Sequence, residues 1–108
     1  MPTDTVAYVE ESEFDALLTE EKVVVVDFTA TWCGPCRLVS PLMDQLAEEF
    51  QDSAKVVKID IDNNKPVFKR FGLRSIPAVL FFKDGNLVES IIGVSAYEQF
   101  SGAVQKLL

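Results

Sequence analysis

The segment Val23 to Phe28, reading Val-Val-Val-Val-Asp-Phe, constrains the fold of this chain more than any other. It is β-branched and aromatic with almost no polar alternation, the pattern of a strand buried on both faces. Such a strand lies in the middle of a sheet, and that sheet needs cover on each side. The chain supplies the cover. From Pro35 to Phe50 the apolar positions are Leu38, Val39, Leu42, Met43, Leu46, Ala47 and Phe50, a helical spacing with one wide apolar face. Pro41 falls inside this helix, where it removes one backbone hydrogen bond and is expected to bend the axis.

The remaining periodicity divides the chain into short elements. Val6 to Val9 reads as a first strand, and Ser12 as the N-cap of a helix. Asp15 is its box partner, and Phe14, Leu17 and Leu18 form the stripe. Lys55 to Ile61 reads as a strand. Asn63 and Asn64 before Lys65-Pro66 mark the entry to a short helix that ends at Gly72. Ala78 to Phe82 is a strand, and Asp84-Gly85 a hairpin signal before Leu87 to Ile92. Ser95 and Glu98 are expected to cap a last helix with the stripe Tyr97, Phe100, Val104, Leu107 and Leu108. The order is β-α-β-α-β-α-β-β-α. Early βαβ units imply parallel strands with right-handed crossovers, and the hairpin adds antiparallel ones. The expected fold class is α/β, a mixed five-stranded central sheet with helices on both faces. One domain over residues 1–108 accounts for the length, with no repeat, linker or low-complexity stretch.

Composition excludes several functions. With 17 acidic residues against 10 basic ones, the net charge of -7 is the wrong sign for a phosphate backbone, so nucleic acid is not an expected partner. No apolar run approaches the ~18 residues of a membrane span. No basic-then-apolar leader is visible at the N-terminus, although a removed leader would leave no trace. No Gly-x-Gly-x-x-Gly fingerprint is present, so no permanently bound cofactor is expected.

The chain has two cysteines and no histidine. That set is too small for a secreted disulfide scaffold and cannot complete the usual four-coordinate zinc site. The pair is therefore inert, a local disulfide or a redox couple. Its position favours the last. Thr31-Trp32-Cys33-Gly34-Pro35-Cys36-Arg37 joins the buried strand to the long helix. Free N–H groups and a partial positive charge at a helix start favour thiolate over thiol. Pro35 fixes one φ angle and limits how far the turn relaxes, while Gly34 leaves the backbone beside Cys33 open to another protein's disulfide. Cys33 is then expected to be the exposed nucleophile that forms a mixed disulfide, and Cys36, one turn in, the resolving thiol.

Trp32-Cys33-Gly34-Pro35-Cys36 resembles the active-site signature of the thioredoxin family. The resemblance runs along essentially the whole chain. Asp27 within Val-Asp-Phe, Pro41, Lys58 within Lys-Ile-Asp, Ile76-Pro77, Asp84-Gly85 and Gly93 match the family's landmarks in order. Plant and cyanobacterial members are the ones the sequence resembles. The resemblance implies the thioredoxin fold and a general protein-disulfide reductase. It implies that Asp27 accepts the proton of Cys36, that Lys58 lies near Asp27 and tunes it, and that the Ile76-Pro77 bond is cis and faces the disulfide. Trp32, Ile76, Pro77, Gly93 and Val94 would then form a flat apolar docking patch around Cys33. The partners implied are a thioredoxin reductase-type electron donor, flavin- or iron–sulfur-dependent, and diverse disulfide-containing target proteins. A monomer in the cytoplasm is expected, or in the plastid stroma after removal of a transit peptide.

Blander readings stand beside these. Asp27 can be a structural carboxylate paired with Lys58, Lys58 can belong to a strand's solvated face, and Pro77 can be a strand-entry proline. Thr29, Ser75 and Ala78 depart from the commonest family residues, tryptophan, glycine and threonine, without removing a catalytic group. An oxidase or isomerase of the same fold, a binding module with incidental thiols, and a metal-bridged dimer through Cys33 are the competing functions.

Overall fold

The computed structural model describes residues 6–108. The reading of the extreme N-terminus lies outside them. Among the described residues nine elements follow in the expected order: β1 (Ala7–Tyr8), α1 (Glu11–Glu20), β2 (Val23–Thr29), α2 (Cys36–Glu49), β3 (Lys55–Asp60), α3 (Lys65–Arg70), β4 (Ala78–Lys83), β5 (Asn86–Ile92) and α4 (Tyr97–Gln105). The strands form one mixed sheet in the order β1-β3-β2-β4-β5. β3 pairs in parallel with β1 and β2, and β4 pairs antiparallel with β2 and β5. The four-valine strand β2 is thus central and buried along its whole length.

Strand periodicity sorts the core into two layers. Val25 packs with Val39, Met43 and Leu46 of α2 and with Phe100 and Val104 of α4. Val24, Val26 and Phe28 face the other way, onto Phe14 of α1 and Val67 of α3. This second layer is aromatic. Phe14 meets Phe71 and Phe82 edge-on, with ring centroids 6.1 and 5.3 Å away.

The turn chemistry matches its sequence signals. Asp84 and Gly85 both take positive φ, 51° and 83°, as a two-residue hairpin between paired strands requires. Gly72, at φ 67°, follows α3, where its N–H donates to the carbonyl of Lys69 and that of Leu73 to Phe68. Those two bonds satisfy carbonyls that the helix end leaves open.

The helix caps differ from expectation. α1 starts one residue beyond Glu10, whose N–H donates to Glu13 Oε1 at 2.9 Å, so Ser12 lies inside the helix and does not cap it. Asn64 then accepts from the N–H of Glu11 at 3.2 Å, a cap delivered from a residue 53 positions away. α4 begins after Ala96 with no side-chain cap, and the Ser95–Glu98 box does not form. Tyr97 instead ties α4 to α2 by donating its hydroxyl proton to Glu49. Leu108 lies beyond the helix and is 59% exposed, so the apolar stripe stops before it.

Candidate active site

The chain leaves β2 at Thr29 and reaches α2 at Cys36 through a tight connection. The N–H of Cys33 donates to the carbonyl of Ala30, and that of Arg37 to Gly34. Cys33 and Cys36 form a disulfide with Cα atoms 5.3 Å apart, well within the range such bonds accept. The N–H of Cys36 donates to Cys33 Sγ at 3.2 Å. It is one of the orphan donors of a helix start, aimed at the sulfur that would carry charge in the reduced state.

Both cysteines are covered. Cys33 is 4% exposed and Cys36 2%, packed with Ala30 and against Ile61 and Ile76. The expectation of an exposed Cys33 is therefore corrected for the disulfide state. Access comes from its neighbours: Gly34 and Pro35 are exposed, and the face of Gly34 where a Cβ would project is open.

Asp27 is fully buried, and neither carboxylate oxygen has a hydrogen-bond partner. Burial raises its pKa from 3.8 to about 7, against the pull of the Lys58 charge and with a further push from Asp44. Lys58 occupies the paired position on β3. Strand parity puts Asp27 with Val25 and Lys58 with Val56, so both side chains project to the α2 face. Lys58 is 1% exposed, which overturns the solvated-face reading. Its ammonium does not pair with Asp27. It donates to Ser40 Oγ at 2.6 Å and lies 3.5 Å from Asp44 Oδ1, both on α2. A cavity of about 420 Å³ lined by Cys36, Ser40, Tyr8 and Asp60 adjoins this group.

The remaining site residues divide between the surface and the supporting layer. Trp32 is 65% exposed and donates its indole N–H to Asp62 Oδ2 at 2.9 Å. The Ile76-Pro77 bond is cis. Ile76 packs against the cysteines, while Pro77 is buried and adds little surface. Gly93, at φ 90°, donates its N–H to the Pro77 carbonyl at 2.8 Å, which joins the two loops. Val94 is 51% exposed and Ile92 49%. Sequence reasoning missed Ser40, Asp44 and Asp62. A signal for the first two existed, since residues four apart share a helix face and Lys58 shares the strand parity of buried Val56.

A disulfide that spans three residues restrains the unfolded chain little, so it is poor as a staple. Set at a helix start, with an amide proton directed at its sulfur, it is a redox centre, and on this sheet it defines a thiol–disulfide oxidoreductase. The chain belongs to the thioredoxin family, whose model, Thioredoxin, matches residues 5–106. It is 39% identical over 103 residues to thioredoxin 1 of Synechococcus elongatus, covering 94% of this chain and 96% of that one. The M-type chloroplastic thioredoxin of Pisum sativum is 40% identical over 104 residues, or 95% of this chain and 60% of that one. Among solved structures, a thioredoxin variant from Halobacterium salinarum superposes with a TM-score of 0.88 at 31% identity, covering 99% of this chain and 95% of the other.

The protein is accordingly a general thiol–disulfide oxidoreductase with Cys33 and Cys36 in the Cys-x-x-Cys position. Members of this family work through their own active-site disulfide, with a reductase and with disulfide targets. No helix among the described residues is long and apolar enough to cross a membrane. No group of three or more metal-ligating side chains occurs among them.

Proposed function

We propose that the protein is a protein-disulfide reductase in which Cys33 is the nucleophile, Cys36 the resolving thiol and Asp27 its proton acceptor. The observation that carries this reading is the fully buried, unpartnered Asp27 on the α2 face, the helix that begins with Cys36. A carboxyl whose pKa burial pushes up to about 7 is matched to taking a proton from a thiol at neutral pH.

The electron count closes. The Cys33 thiolate attacks one sulfur of a target disulfide, a Cys33–target disulfide forms, and the other target sulfur leaves and takes a proton. Asp27 accepts the Cys36 proton through an intervening water; Cys36 lines a cavity of its own, while the Asp27 carboxylate lies sealed behind it. The Cys36 thiolate then attacks Cys33 Sγ, the Cys33–target bond breaks, and the departing target sulfur takes the proton held by Asp27, so that the target leaves as a dithiol. Two electrons have moved, and an external thioredoxin reductase-type donor returns them with the one proton that restores the Cys36 thiol beside the Cys33 thiolate. Lys58 acts on the Asp27 carboxylate through its charge. Trp32, Gly34, Pro35 and Ile76 offer the docking face, with Pro77 and Gly93 holding its rim.

The protein works as one domain over 1–108 without a bound cofactor, as a monomer in the cytoplasm or plastid stroma. The cyanobacterial and chloroplastic names of its relatives support that location. The test of direction is a redox titration of the pair, following Trp32 fluorescence and thiol alkylation together. The expected midpoint lies below about −230 mV; thioredoxin, at about −270 mV, is itself a reference point on that scale. A midpoint between about −120 and −180 mV would mark an oxidant or isomerase and overturn the reading.

A further inference from the structure

Lys58 is one of the largest fully buried side chains, and a buried ammonium is tolerated only when paired. Its partners come from one helix. Ser40 Oγ at 2.6 Å and Asp44 Oδ1 at 3.5 Å lie four residues apart, on one face of α2. The Ser40 bond is short and charge-assisted, whereas the Asp44 contact is an ion pair without a hydrogen bond. From β1 the ring of Tyr8 lies 5.8 Å from the ammonium. From β4 the residue paired with Asp27 is Val79, which is apolar. Asp60 and Arg37 line the neighbouring cavity. Lys58, in the paired position on β3, is the cation nearest in register to Asp27, yet it makes no hydrogen bond or ion pair with it.

We propose that Ser40 is a positioning residue for Asp27: its hydroxyl holds the Lys58 ammonium against α2 and keeps the Asp27 carboxylate out of a direct ion pair. This rests on Asp27 acting as the base. A carboxylate in contact with a cation has its pKa lowered by roughly 1–3 units, and a group so far below neutrality is a weak proton acceptor. Lys58 carries its charge on a flexible four-carbon stem. Without the Ser40 hydroxyl, the ammonium keeps Asp44, already in contact, and is free to turn to Asp27 across the strand pair or to Asp60 two residues along β3. The serine thus sets how far the ammonium stands from the base, which neither carboxylate does alone.

The experiment compares wild type, Ser40→Ala and Ser40→Thr by carbon NMR titration of the Asp27 carboxyl. Single-turnover rates of mixed-disulfide resolution follow on the same proteins. Alanine is a better helix former than serine, so the variant keeps α2. Ser40→Ala is expected to lower the Asp27 midpoint by roughly 1 pH unit and to slow resolution several-fold at neutral pH. Ser40→Thr, which restores the hydroxyl, is expected to return both to wild type. An unchanged midpoint in Ser40→Ala overturns the proposal, as does a threonine variant shifted as far as the alanine one. Asp27→Asn separates the two readings. If it resolves the mixed disulfide at the wild-type rate, the base role fails, while the NMR midpoint still decides what Ser40 does to Asp27.

Discussion

Asp27 and Lys58 sit opposite each other on adjacent parallel strands, on one face of the sheet, and do not form an ion pair. The ammonium turns to α2 and the carboxylate is left buried without a partner. A site that placed both charges in contact would be more stable and less able to move a proton.

Burial of Asp27 makes stability depend on pH in a definite direction. Its pKa is 3.8 in the unfolded chain and about 7 in the folded one, so between those values the folded state binds the extra proton. Stability therefore falls as pH rises from about 4 to about 7 and stays reduced above that. The shift of about three units is worth on the order of 4 kcal/mol. Asp27→Asn is expected to be more stable than wild type at pH 8 by a margin that shrinks toward pH 4. Denaturant unfolding of both proteins at several pH values measures it, and a margin independent of pH would refute the shift.

The two cysteines differ little in exposure, so their roles need chemical separation. Cys36→Ser is expected to accumulate a stable mixed disulfide through Cys33 when given a disulfide-bonded target. Cys33→Ser should trap little. Mass spectrometry of the adducts reads both, and equal trapping by the two variants would remove the assignment of nucleophile.

Trp32 is the chain's only tryptophan, and its indole N–H is anchored to Asp62. Asp62→Ala should free the ring, with a change in emission maximum and lower fluorescence anisotropy. Stability should fall by less than about 1 kcal/mol, because the bond is exposed. A spectrum identical to wild type would show that packing, rather than Asp62, holds the ring.

Phe14 of α1 is fully buried among Phe71 and Phe82. Phe14→Ala is expected to cost about 3–5 kcal/mol through lost burial and the cavity left behind. A midpoint shift in urea worth less than about 1 kcal/mol would mean that the aromatic layer closes over the gap.

The amino-acid sequence by itself determined the elements and the reactive pair. Val23 to Phe28 is too apolar to lie anywhere but mid-sheet, and the stripe from Leu38 to Phe50 has a helix period. Asp84-Gly85 and Gly72 mark turns that need positive φ, and Cys33 and Cys36 stand where a strand passes into a helix. These signals are local, carried by neighbours within a turn or two of chain. Tertiary structure decided the rest. It capped α1 through Asn64 rather than Ser12, and buried Cys33 beneath Ile61 and Ile76. It also gave Lys58 to Ser40 and Asp44 instead of Asp27. A polar group's partner depends on which segments meet in space, and desolvation makes that choice costly to leave unmade. No local pattern encodes it.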